Sequence, residues 1–162
     1  MPSECEFAEE YSAAGARRSF FATWGEVWQR ARGGDSLYEV LRGPCRCLYL
    51  DVEWKGERDD AVLHAIVRDA EAALARSPEP RSALRTHLFE SCRGGDDPKA
   101  SYHAHIVLRG KPFASPPEVG AFVRDNLLPK WAAQVDVAPY HKTQYWRLPL
   151  CTKYAEPARP MR

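Results

Sequence analysis

No CxxC pair occurs in the 162 residues, and the five cysteines (Cys5, Cys45, Cys47, Cys92, Cys151) are odd in number and scattered. That removes the usual zinc half-site and argues against a secreted disulfide framework. No apolar run approaches the ~20 residues of a membrane span. The N-terminal MPSECEFAEE is acidic and polar, without the apolar stretch of a signal peptide. An excess of one charge is missing too: 23 Lys and Arg meet 22 Asp and Glu, a formal net of +1, so no bulk basic field advertises a polyanionic partner. Repeats and low-complexity segments are absent. What is there is a chain 44% hydrophobic and 11% aromatic, enough for a packed core and too much for a disordered tail. A soluble, intracellular protein is expected, with one domain over 1–155 and a flexible C-terminal tail over 156–162.

Start signals mark three helices. Thr23 and Glu26 have capping-box spacing ahead of Val27, Trp28 and Ala31. Asp59 or Asp60 can cap a longer helix in which Leu63, Ile66, Val67, Ala70 and Leu74 recur at helical spacing. Ser115-Pro116-Pro117-Glu118 combines a capping-box pattern with proline in the first turn. Strands are expected at Arg18–Ala22, Leu37–Arg42, Cys47–Trp54, Leu84–Phe89, Tyr102–Arg109, Gln134–Ala138 and Tyr145–Cys151, most of them rich in aromatic or β-branched residues. The order predicts an α+β fold with a mixed, largely antiparallel sheet and flanking helices.

Three of these strands carry chemistry on the face turned from the core. In Leu48–Trp54, Leu48, Leu50, Val52 and Trp54 share one face, so Asp51 and Glu53 project together from the other. Two carboxylates two residues apart repel unless a cation sits between them, and hard divalent cations take carboxylate oxygens. In Lys99–Leu108, Ser101, His103 and His105 share the face opposite Tyr102, Ala104, Ile106 and Leu108. A hydroxyl, imidazoles and a lysine suit a triphosphate. In Val135-Asp136-Val137 a single acid stands between two β-branched residues, and Arg147 and Lys153 follow in a basic segment. Singly, each feature reads more readily as a solvated strand face. Together, Asp51, Glu53 and Asp136 have the composition of a two-metal site for in-line phosphoryl displacement.

The trio Asp51-Val52-Glu53, Ser101-Tyr102-His103 and Val135-Asp136 resembles the DxE, SxH and hD motifs of the archaeo-eukaryotic primase superfamily, most closely its primase-polymerase (PrimPol) branch. The segment with TWGEVW, LYEVL and CLYLDVEWK, and the stretch VDVAPYHKTQYWRLPLCTK, extend the likeness over nearly the whole chain. The resemblance implies an RRM-like catalytic core and a metal-dependent DNA primase or polymerase acting on single-stranded DNA. Asp51, Glu53 and Asp136 would be catalytic and would hold Mg2+ or Mn2+. Lys99, Ser101, His103, Arg147 and Lys153 would bind the triphosphate of an incoming dNTP or NTP, with Arg17 (or its neighbour Arg18) near that nucleotide and Tyr38 beside its sugar. A helicase or single-strand-binding protein is the implied partner. The implied location is the nucleus or mitochondrion for a cellular form and the host replication site for a viral one. The chain departs from the family in the short segment between the second and third motifs and in Gln144, where an arginine is common.

Two other readings compete. His103-Ala104-His105 is a His-x-His pair of the rolling-circle nickase type, which would bind one ion with Glu53 and need Tyr140 or Tyr154 as nucleophile. A non-catalytic module would bind single-stranded DNA through platforms such as Trp24, Trp28, Trp131 and Trp146.

Overall fold

The computed structural model describes residues 5–92, 98–141 and 143–151. Twelve elements follow in chain order: β1 (Cys5–Glu10), β2 (Arg17–Ala22), α1 (Trp24–Arg32), β3 (Leu37–Leu41), β4 (Cys47–Lys55), α2 (Asp60–Arg76), β5 (Arg81–Glu90), β6 (Lys99–Gly110), α3 (Pro116–Asn126), α4 (Leu128–Trp131), β7 (Val135–Asp136) and β8 (Gln144–Arg147). The class is α+β, as expected, with every strand pairing antiparallel and the strands divided between two four-stranded sheets. Contacts group the chain into two compact units, residues 42–142 and the two chain ends on either side of them. Lys153, Tyr154 and the expected tail over 156–162 lie outside the described residues. No helix among the described residues is long and apolar enough to cross a membrane.

In the unit of the chain ends the strand order is β2-β1-β3-β8. The expected capping box of α1 forms: Glu26 Oε2 accepts from the Thr23 N–H at 2.8 Å, and the Thr23 hydroxyl accepts from the Glu26 N–H at 3.4 Å. Val27 and Ala31, one turn apart, then pack with Phe7, Ala22 and Leu37. β1 is unexpected, because three of its six residues are glutamates. Its charges are met from the neighbouring strand and helix: Glu9 lies opposite Arg18 and Glu10 opposite Arg17, and Arg30 reaches Glu9 at 3.0 Å.

The other unit runs β4-α2-β5-β6-α3-α4-β7 with strand order β5-β6-β4-β7. The helical crossover from β4 to β5 leaves a gap that β6 fills, which is the split βαβ, ferredoxin-like arrangement. Asp59 caps α2 by accepting from the Ala61 and Val62 N–H groups at 2.9 and 3.2 Å. The stripe Leu63, Ile66, Val67, Ala70 and Leu74 buries against Leu48, Leu50, Val52, Tyr102, Ala104 and Ile106. Each large aliphatic in that stripe contributes about 1.5–3 kcal/mol by leaving water. α3 starts at Pro116 as expected, but Ser115 makes no side-chain cap bond. Glu118 is drawn away instead, accepting from the Ala114 N–H and from Arg81, both at 2.6 Å. β7 and β8 are shorter than expected, ending where Asp136 turns the chain and just before Leu148-Pro149. With the helices on one face, the opposite face of this sheet carries the polar strand residues.

Candidate functional site

Pairing register, more than sequence spacing, assembles the polar face. On β4 and β6, Asp51 is the Cα partner of His103, Glu53 of Ser101, and Tyr49 of His105. On the other side of β4, Asp51 is the partner of Asp136. The three expected motifs therefore lie in one row across β6, β4 and β7, with Asp51 at its centre. Asp51 and Asp136 are each half-buried, while His103 is buried at 8% exposure.

His103 Nε2 lies 3.8 Å from Asp51 Oδ1. Lys99 Nζ lies 2.7 Å from Glu53 Oε2, so an ammonium already stands on one carboxylate of the set. Asp136 Oδ1 accepts from the Ala138 N–H at 2.8 Å, fixing the turn that follows β7. Side chains that face one another in an antiparallel pair have Cβ atoms about 4.5–5.5 Å apart, and like charges there are destabilising. The pair Asp51 and Asp136 is thus an arrangement that a divalent cation would relieve. Carboxylate oxygens from two strands, with Glu53 two residues along, are donors of the type Mg2+ and Mn2+ take, and the residues fit such an ion in kind. Among the described residues no group of three His, Cys, Asp or Glu side chains is already gathered as a ligand set.

His105 stands apart from the acids. Its ring packs edge-on to Tyr49 at 4.8 Å and to Phe89 at 4.9 Å, and His87 is its partner on β5. Burial, with a smaller contribution from His87, pushes its pKa down to about 3. An imidazole enclosed by two rings is poorly placed to share one ion with His103 and Glu53, which weakens the His-x-His reading. Tyr140, one of the two tyrosines that reading needs as nucleophile, is buried and donates its hydroxyl to the Tyr49 carbonyl. Burial first, then the charges of Asp51 and Asp136, push its pKa well above the ordinary phenol value. A phenol so held is a poor nucleophile.

Of the remaining expected residues, Arg17, Tyr38 and Arg147 belong to the unit of the chain ends. Tyr38 and Arg147 are Cα partners on β3 and β8. The Arg17 guanidinium lies 4.3 Å from the centre of the Tyr38 ring and 5.0 Å from that of Tyr145. Glu10, buried at 6% exposure, accepts from Arg17 at 3.1 Å and from the Tyr38 hydroxyl at 3.0 Å. Burial raises the Tyr38 pKa, with Arg17 opposing and Glu10 adding. Glu10 escapes sequence reasoning because the acidic N-terminal run looks like solvent-facing chain, and Phe7-Ala8-Glu9-Glu10 shows no apolar–polar alternation to betray a strand. Of the proposed platforms, Trp24 and Trp28 are 40% and 39% exposed, while Trp146 is buried.

A cleft of about 360 Å3 opens at the C-terminal end of β4, lined by Trp54, Lys55, Arg58 and Gln134 among others. None of Asp51, Glu53 and Asp136 lines it. No family model matches the chain, and no curated protein matches it.

Proposed function

We propose that the chain is a metal-dependent, template-directed nucleotidyltransferase of the primase-polymerase kind, extending primers on single-stranded DNA from dNTPs or NTPs. The observation that carries the reading is the register: Asp51 stands between His103 and Asp136, and Glu53 faces Ser101. Three motifs from distant parts of the sequence meet on one sheet face in the combination that phosphoryl transfer uses.

Asp51, Glu53 and Asp136 would hold Mg2+ or Mn2+. The chemistry such an ion would supply when bound is a lowered pKa for an attacking hydroxyl and neutralisation of charge on a leaving pyrophosphate. The protein's own groups do the rest. Asp51 and Asp136 present carboxylates from facing positions on adjacent strands. Lys99 can pass its ammonium from Glu53 to a phosphate oxygen, supplying charge where charge develops. The Ser101 hydroxyl is a neutral donor opposite Glu53 on the same face, and His103, held beside Asp51, can donate from Nε2. Primed single strands and a helicase or single-strand-binding protein are the partners on this reading, and a replication site is the location.

The test is primer extension with Mg2+ or Mn2+. Asp51→Asn and Asp136→Asn should each abolish extension, because each removes a carboxylate the ion would need, while circular dichroism stays unchanged. Extension retained in either variant overturns the reading.

A further inference from the structure

Asp136 owes its place to very little sheet. β7 is two residues long, lies at the sheet edge, and meets β4 only at Asp51–Asp136 and Val52–Val135. Beside that ladder the Glu53 N–H donates to the Gln134 carbonyl at 2.7 Å. So short an edge ladder opens locally unless something else ties it down.

The tie is four residues downstream. The ring of Tyr140 belongs to the main core, and its hydroxyl donates to the backbone carbonyl of Tyr49, two residues before Asp51 on β4. Gly120 on α3 makes room for it: a Cβ there would lie 2.6 Å from Tyr140 Cβ and 3.1 Å from its Cγ. Between anchor and carboxylate the chain is closed by two local bonds, Ala138 N–H to Asp136 Oδ1 at 2.8 Å and Tyr140 N–H to the Val137 carbonyl at 3.3 Å. Movement of the anchor is therefore passed to Asp136 through a short, internally bonded turn.

We propose that Tyr140 is a positioning residue: seated against Gly120, it pins the β7 segment to β4 through the Tyr49 carbonyl and holds Asp136 opposite Asp51. Its effect on catalysis rests on the nucleotidyltransferase reading; its effect on the strand does not. Tyr140→Phe keeps the ring and deletes the donor. Gly120→Ala keeps the donor and displaces the ring.

Amide hydrogen exchange at Glu53 is the direct readout, because that N–H is exposed whenever β7 lifts from β4. Tyr140→Phe should speed it about tenfold, the factor equivalent to ~1.4 kcal/mol and to the upper range for one hydrogen bond. Gly120→Ala should act in the same direction. A variant that only melts earlier, with the Glu53 amide exchanging at the wild-type rate, overturns the proposal. In primer extension kcat should fall about tenfold while the KM for nucleotide stays within about twofold. A rise in KM alone also overturns it. Should the wild type extend nothing, the nucleotidyltransferase reading fails, and the Glu53 amide still decides the role of Tyr140.

Discussion

The opposed acids should make the metal-free protein less stable than a variant that lacks one of them. Asp51 and Asp136 are Cα partners on adjacent antiparallel strands, which sets their Cβ atoms about 5 Å apart. Two unit charges at ~5 Å repel by roughly 0.8 kcal/mol in water and by about 3 kcal/mol at an effective dielectric constant of 20. Like charges on facing strand positions cost about 0.2–1 kcal/mol. Both groups are half-buried and His103 stands 3.8 Å from Asp51, so ~1 kcal/mol is the working figure. Asp136→Asn removes the repulsion and keeps the oxygen that accepts from the Ala138 N–H. In EDTA at pH 8, where an ordinary imidazole is neutral, the variant should melt about 2–4 °C above the wild type. Saturating Mn2+ should invert the order. An ion at a hundred times its Kd adds about 2.7 kcal/mol to the protein that binds it, and the variant has lost a ligand. Thermal melts followed by tryptophan fluorescence, with EDTA and with Mn2+, read both signs. A variant that melts below the wild type in EDTA refutes the repulsion. Equal Mn2+ stabilisation of both proteins refutes Asp136 as a ligand.

Further outcomes follow from other residues. His105, with its pKa held near 3 against 6.5 in the unfolded chain, contributes stability that is full above pH 6.5 and declines as pH falls toward 3. Wild type should therefore lose up to about 2 kcal/mol between pH 7 and pH 5 on this account. His105→Phe, which keeps a ring between Tyr49 and Phe89, should flatten that slope in pH-dependent melts; an unchanged slope refutes the attribution. Gly110 has φ +92°, and a Cβ there would lie 1.9 Å from the Pro80 carbonyl oxygen. Gly110→Ala should cost at least ~3 kcal/mol, as strain at a special backbone conformation combined with overpacking does, and a urea midpoint near wild type would refute this.

Much of the site is legible because β4 and β6 are long and alternate cleanly. Leu48, Leu50 and Val52 declare one face of β4, and Asp51 and Glu53 must then take the other. Tyr102, Ala104 and Ile106 do the same for Ser101 and His103. Thr23 and Asp59 announce their helices because each cap is local chemistry between neighbours in sequence. Long-range chemistry escapes such reading. β1 looks like a solvated acidic run until Arg17, Arg18 and Arg30 arrive beside its glutamates. The capping box at Ser115 fails because Arg81, 37 positions away, competes for Glu118. α4 is four residues containing a proline, too short for any period to show. The row of acids is itself a product of register, which two short sequence motifs cannot specify. The tie from Tyr140 depends on the absence of a side chain at Gly120, one helix away.

The order in which the ribosome delivers the chain bears unequally on the two units. Residues 42–142 are contiguous, and every strand of the β5-β6-β4-β7 sheet lies within them, so that sheet can close as soon as β7 has emerged. The other sheet is split: β1, β2 and β3 are made first, yet β3 finds its partner β8 only after an intervening stretch of about 100 residues. Until then the Tyr38 edge of β3 is a bare row of backbone donors and acceptors, the kind of surface that recruits wrong strands. Closing so long a loop costs only slowly growing entropy when the intervening chain is unstructured, and a folded insert changes the distance to be bridged. Truncation before Gln144 should therefore leave the acid-bearing sheet assembled and the β3 edge prone to association, whereas a circular permutant that joins the two ends would deliver β8 next to β1 from the start.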